Sequence, residues 1–153
     1  MRERSHHMAG ENLMSPQTTY ADVVEGVRAT IAAYAQALDD GRTDDIVATF
    51  CPDGVCDIPG MGTHTGRDAL RQAFTKWKPR QPQRHLVLNT LVTEWNDHEA
   101  TAVSDVVFVL LEDTGWAIKL VGRYNDVFHR SDGTWRIHTR TATFVTDPTT
   151  RRE

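Results

Sequence analysis

The stretch RHLVLNTLVTEWNDHEATAVSDVVFVLLEDTGWAIKLVGRYNDVFHRSDGTWRIHTRTATFVT, Arg84 to Thr146, decides the fold. It divides into four runs rich in Val, Thr, Leu and aromatics: Arg84 to Trp95, Ala100 to Leu111, Trp116 to His129 and Thr134 to Thr146. Between them stand Asn96-Asp97, Asp113-Thr114-Gly115 and Ser131-Asp132-Gly133, residues that favour tight turns because Asn, Asp and Gly tolerate positive φ. Four long strands joined by short turns predict a meandering antiparallel sheet.

Upstream of Arg84 the period changes from two to between three and four. Val24, Val27, Ile31, Tyr34, Ala35 and Leu38 form one apolar stripe, so a helix is predicted there, ended by Gly41. Thr43 is placed as the N-cap of a short second helix that buries Ile46, Val47 and Phe50. Pro52-Asp53-Gly54 reads as a turn, and Val55 to Ile58 as a short strand stopped by Pro59-Gly60. A third helix follows Gly66, carries Ala69, Leu70, Ala73, Phe74 and Trp77, and is closed by Pro79. Helices first and strands afterwards predict an α+β fold. A long curved antiparallel sheet packed against three helices can roll into a cone whose open end is a pocket for an apolar ligand.

Composition narrows the function. With 39% hydrophobic and 25% charged residues, 153 residues suit one globular domain. Residues 1–18 lack periodicity and are expected to be a tail, with Ser5-His6-His7-Met8 as a cloning remnant. The domain is expected over residues 19–147 and a flexible C-terminal tail over residues 148–153. A net charge of −4 gives no electrostatic case for nucleic acid or an anionic membrane surface. No apolar run approaches the roughly 20 residues of a membrane span, and no stretch near the N-terminus has a signal-peptide layout. Cys51 and Cys56 do not make a secreted disulfide framework, so a reduced, cytoplasmic setting is expected. His64, His85, His98, His129 and His138 are scattered without ligand spacing, and no glycine-rich phosphate loop opens a helix. Neither a metal nor a cofactor is therefore expected.

Two residues stand out for chemistry. Alternation places His85 on one face of its strand with Val87, Asn89 and Leu91, and Leu86, Leu88 and Val92 on the other. Asp39 ends the first helix, where a carboxylate opposes the helix dipole. The plainer readings are a hydrogen-bonded structural histidine and a solvated helix terminus, and neither residue alone argues for catalysis. Tyr34, Phe50, Trp77, Phe108 and Tyr124 could line a pocket or simply fill the core; Asn89 could orient a substrate oxygen. Tyr124 and Asp126 share a strand face, and Arg123, Arg136 and Arg140 are assigned to the outer face or an oligomer interface.

The order of the segments adds to this. Tyr34-Ala35-Gln36-Ala37-Leu38-Asp39, Asp44-Asp45-Ile46-Val47-Ala48-Thr49-Phe50, Pro52-Asp53-Gly54-Val55, Gly66-Arg67-Asp68-Ala69-Leu70 and Arg84-His85-Leu86-Val87-Leu88-Asn89 follow one another. Gly122-Arg123-Tyr124-Asn125-Asp126 and Asp132-Gly133-Thr134-Trp135-Arg136-Ile137 complete the series. Over nearly all of residues 20–145 the chain resembles the SnoaL-like proteins of the nuclear transport factor 2-like superfamily. Scytalone dehydratase, ketosteroid isomerase and hexachlorocyclohexane dehydrochlorinase belong to the same superfamily.

The resemblance implies a cone with its pocket between the helices and the concave sheet. In the dehydratase and dehydrochlorinase branches an Asp at the end of the first helix pairs with a His on the first long strand, here Asp39 and His85. A carboxylate in that place fixes the imidazole tautomer and stabilises the imidazolium formed when His accepts a proton. A free imidazole titrates near ~6.5, which suits proton transfer near neutral pH. Leu38 stands where scytalone dehydratase has a tyrosine, so a phenol acting as acid from that spot is absent. The ketosteroid isomerase base and the Asp-Arg-Asp set of the epoxide hydrolases do not map onto this chain.

The function implied is a cofactor-independent lyase, dehydratase or isomerase. Its substrate class is a small hydrophobic molecule: polyketide-, terpenoid- or aromatic-like. The alternative is a non-catalytic ligand-binding protein or accessory subunit of the same fold. A homodimer or small homo-oligomer is expected through the exposed sheet face.

Overall fold

The computed structural model describes residues 17–145; the expected tails, apart from Gln17 and Thr18, lie outside the described residues, as do Thr146 and Asp147. Three helices precede most of the sheet: α1 (Tyr20–Asp39), α2 (Thr43–Ala48) and α3 (Arg67–Lys76). The strands are β1 (Phe50–Ile58), β2 (Gly62–Thr65), β3 (Gln83–Trp95), β4 (Glu99–Glu112), β5 (Gly115–Ser131) and β6 (Thr134–Phe144). They form one curved, open sheet in the order β2-β1-β6-β5-β4-β3. Neighbours run antiparallel except β1 and β6, which pair in parallel. The four-stranded meander appears as the turn chemistry predicts.

Helix α1 starts in a capping box: Thr19 accepts from the backbone N–H of Asp22, and the Asp22 carboxylate accepts from the backbone N–H of Thr19. It lies across β3 and β6 and buries Val23, Val27, Ile31, Tyr34, Ala37 and Leu38 against the concave face. Its end is a left-handed glycine stop: Gly41 takes φ +67°, and the Arg42 N–H donates to the Ala37 carbonyl. That stop fixes Asp39 at the last helical position, over β3.

Five local expectations change. Thr43 is the first residue of α2, with Arg42 at the cap position, because no side-chain cap forms there. Phe50 begins β1, its aromatic ring better served by a strand facing the core than by an extension of the short helix α2, which ends at Ala48. Pro52-Asp53-Gly54 is an irregularity inside β1: Phe50 aligns with Ile137 and Val55 with Thr139, so extra residues loop out without ending the strand. A Cβ on Gly54 would lie 3.0 Å from the Cys51 carbonyl oxygen and 3.1 Å from that of Ile137, which leaves room only for glycine. The short strand β2, absent from the sequence reading, folds back on β1 and pairs Val55–Ile58 with Gly62–Thr65.

The fifth change is one of parity. Between Leu88 and Leu91 β3 carries one residue more than β4, and Asn89 adopts φ +53°. The extra residue turns the strand face over, so Val92 is buried with the core while Leu86, Leu88 and Leu91 are exposed on the convex side.

Candidate active site

The last turn of α1 and the first residues of β3 bring Asp39 and His85 together. His85 Nδ1 lies 2.7 Å from Asp39 Oδ1, and the His85 backbone N–H donates to Asp39 Oδ2 at 2.9 Å. Both carboxylate oxygens are thus engaged by one residue, a two-point grip that sets the ring's position as well as its tautomer. Since a carboxylate only accepts, Nδ1 carries the proton, and Nε2 is the ring nitrogen that Asp39 leaves unengaged. Gln83 Nε2 makes a longer bond, 3.4 Å, to Asp39 Oδ1. The side chains are 6% exposed for Asp39 and 16% for His85, so the pair is largely shielded while the imidazole keeps an open edge. Phe108, directly opposite on β4, stacks on the imidazole with 4.6 Å between centroids and 23° between planes.

His85 opens into a cavity of about 280 Å³ between the helices and the concave sheet. Leu38, Ile58, Phe74, Val106, Leu120 and Phe144 supply most of its apolar wall. Of the predicted lining residues, Tyr34, Trp77, Phe108 and Tyr124 face this cavity. Phe50 does not: it is fully buried behind the wall, its ring 6.0 Å from Tyr34 and 6.1 Å from Phe74. Asn89 is also misplaced by the sequence reading. At the β3 irregularity it turns outward, is exposed, and donates to Asp105 Oδ2 at 2.9 Å.

The largest correction concerns Arg140. Assigned to the outer face, it is instead fully buried and forms a bidentate pair with Asp126, at 2.8 Å from Nε to Oδ1 and 2.7 Å from Nη2 to Oδ2. Its Cζ sits 4.3 Å from the Tyr34 ring centroid and 4.0 Å from that of Tyr124. The cause is again a parity change. Val127 aligns with Thr139 but Phe128 with Ile137, so His138 is one residue too many in β6. Counting by twos from the inward Trp135 and Ile137 puts Arg140 outside; the inserted residue puts it inside. The legible signal was Asp126, which alternates with Tyr124 and Phe128 on the inner face of β5 and demands a buried cation.

Burial pushes the Tyr34 phenol well above its ordinary value, against a downward pull from the Arg140 charge. It pushes Tyr124 up to about 12 against the same pull, aided by the Asp126 and Asp39 carboxylates. Burial alone would lower the Arg140 guanidinium, but Asp126 and the two tyrosines hold it above its ordinary value. Burial likewise raises the Cys56 thiol to about 12. Among the described residues no group of three or more His, Cys, Asp or Glu side chains is placed to hold a metal ion, and no helix is long and apolar enough to cross a membrane.

A curved sheet, three helices on its concave face and a pocket between them define the nuclear transport factor 2-like, cystatin-like fold. Within that class, residues 19–141 match the SnoaL-like domain, and the chain belongs to that family. Three solved structures illustrate the likeness. A protein of unknown function from Mycobacterium tuberculosis is 26% identical, with a TM-score of 0.77 over 83% of this chain and 74% of that one. A nuclear transport factor 2-like protein with a cystatin-like fold from Novosphingobium aromaticivorans is 21% identical, with a TM-score of 0.74 over 83% of this chain and 84% of its own. A candidate scytalone dehydratase from the same organism is 20% identical, with a TM-score of 0.72 over 81% and 85%. None of the curated proteins matches the sequence.

Proposed function

We propose that this chain is a cofactor-independent lyase or isomerase, with His85 as general base and Asp39 as the group that orients it. The observation that carries the reading is the two-point grip of Asp39 on His85, at 2.7 and 2.9 Å, beside an apolar cavity. The grip leaves Nε2 as the ring nitrogen able to take a proton. When it does, the Asp39 carboxylate stabilises the imidazolium, in a site where shielding from water strengthens the attraction.

The cavity wall holds no Arg or Lys, so it suits an uncharged molecule. Its volume of about 280 Å³ lies near the small end of ligand pockets, a size for a compact hydrophobic molecule. Elimination is the preferred reaction: His85 removes a proton from carbon, the C–H electron pair forms the new double bond, and the leaving group departs from the neighbouring carbon. Isomerisation shares the first step.

The test is turnover on a panel of small β-hydroxy ketones and related bicyclic compounds. His85→Ala is expected to reduce kcat by about 10²–10⁴-fold, the usual worth of a general base. Full turnover by His85→Ala would refute the mechanism. Tight binding without chemical change by the protein with His85 intact would favour the ligand-carrier alternative. We also propose self-association through the convex face, where Leu86, Leu88, Leu91, Trp116, Ile118 and Val121 are exposed. A monomeric mass in sedimentation at micromolar concentration would remove that part.

A further inference from the structure

The reaction above needs somewhere to put negative charge. When His85 takes a proton from a carbon beside a carbonyl, the electron pair moves onto the carbonyl oxygen. Five lining residues have side-chain hydrogen-bonding groups: His85 itself, Gln83, Trp77, Tyr34 and Tyr124. Gln83 is directed to Asp39. Trp77 has an indole N–H, but its aromatic neighbours are Phe74 and His64, with no charge behind it. The two phenols differ, because a buried cation lies against both rings.

We propose that Tyr34 and Tyr124 form the oxygen-binding end of the cavity, a hydrogen-bond donor pair for the carbonyl or enolate oxygen, with the Arg140–Asp126 pair as its electrostatic support. This rests on the reading of His85 as base. The substrate class it specifies is an uncharged ketone or aldehyde with an acidic C–H beside the carbonyl and a compact apolar body.

Four observations lead there. The guanidinium is fully buried, 4.3 and 4.0 Å from the two ring centroids, and the rings stand nearly perpendicular with centroids 6.4 Å apart. Asp126 engages Nε and Nη2, while Nη1 is buried without a hydrogen-bond partner. The Arg–Asp dipole is therefore not discharged on the side away from the carboxylate. A cation against a phenol ring draws electron density from the oxygen and strengthens the O–H as a donor. Both phenols stay protonated at neutral pH, since burial raises Tyr34 and takes Tyr124 to about 12. Finally, Tyr34 and Tyr124 line the same cavity as His85, so the two phenols and the imidazole border one space.

The step balances within these residues. The C–H bond breaks, its proton bonds to His85 Nε2, a C=C bond forms, and the former C=O π pair rests on the oxygen as an enolate. The phenols keep their protons and donate hydrogen bonds. The enolate pair then returns to remake the carbonyl. The imidazolium gives its proton either to the γ-carbon of a substrate that carries a β,γ double bond, whose π pair forms the new C–H bond as the double bond moves to α,β, which is isomerisation, or to a departing β-hydroxyl, which takes the C–O bond pair and leaves as water. Arg140 touches no reacting atom in this scheme and is a positioning residue.

A phenolate carries its charge on an oxygen like an enolate, and 4-nitrophenol reports its own ionisation by absorbance. It is titrated with the full chain and with His85→Ala, so that the imidazole does not supply the effect. Bound to either protein, the probe is expected to be ionised at least about tenfold more than in water at the same pH, in line with the worth of preorganised oxyanion donors. Tyr124→Phe should abolish the gain, Tyr34→Phe should reduce it, and Trp77→Phe should preserve it. Arg140→Lys should lower the gain with no change in affinity for the uncharged 4-nitroanisole, a separation that a purely structural role would not give. A new low-field O–H proton resonance on probe binding to the unaltered chain is expected as well, and it requires no variant to fold. No binding of the probe, ionisation as in water, or loss of the gain in Trp77→Phe instead would overturn the proposal. Failure of His85 as base would appear separately, as turnover retained in His85→Ala with the probe result intact.

Discussion

Two carboxylates, Asp39 and Asp126, each hold a nitrogenous partner in a bidentate grip, and the two pairs behave as opposites. Asp39 engages an imidazole that borders the cavity; its side chain and that of His85 keep 6% and 16% exposure. Asp126 engages a guanidinium with both side chains fully sealed, and the guanidinium keeps its charge at any pH near neutral. On the function proposed for Asp39 and His85, a pair that moves a proton must leave one nitrogen uncommitted and reachable. A pair meant to hold a field must be locked and dry. The same residue type serves both ends because the partner and the access differ.

This contrast can be broken most forcefully at Arg140. Arg140→Met leaves Asp126 charged and unpaired in the core, so chemical denaturation should show a loss of about 3–5 kcal/mol. Adding Asp126→Leu should recover most of it, since replacing the whole pair with apolar residues is often neutral. If the single and double variants are equally destabilised, the pair is not the unit that matters.

Asp39→Asn should cost less, about 1.5–3 kcal/mol, the usual worth of hydrogen bonds to a charged group. It should nonetheless reduce turnover sharply, because an amide can donate to Nδ1 and favour the wrong tautomer. Equal damage to folding and to rate would erase the distinction between the two pairs.

The smallest effect concerns pH. Tyr124 is protonated in the folded state up to about 12, whereas a phenol in the unfolded chain releases its proton near ~10. A raised acid of this kind contributes stability fully present below pH ~10, and the contribution is lost as pH climbs from there toward about 12. Denaturation of the full chain at stepped alkaline pH should show this decline, and Tyr124→Phe should flatten part of it. Stability unchanged across that window in the parent chain would mean the phenol is wetter than its burial implies.

Much of the architecture was legible because it depends on local chemistry repeated along the chain. The i, i+3, i+4 stripe from Val27 to Leu38 needs one face buried, and the Asp-Thr-Gly and Ser-Asp-Gly turns need positive φ at fixed places. The approach of Asp39 and His85 could be named from the resemblance, since it depends on where a helix ends and a strand begins. Phe50, Asn89, Val92 and Arg140 were misplaced for a shared reason. Each lies at or near an inserted residue in a strand or at an element boundary, where a one-residue shift reverses inside and outside.

The sequence by itself determined the helices and the meander, because periodicity and turn chemistry carry that information locally; the pairing of a helix-end carboxylate with a strand histidine was implied by the resemblance to the SnoaL-like proteins. Only the tertiary structure decided which side chains meet at the cavity. An extra residue in β3 and another in β6 reverse inside and outside beyond them, and in β6 that shift placed Arg140 between two tyrosines.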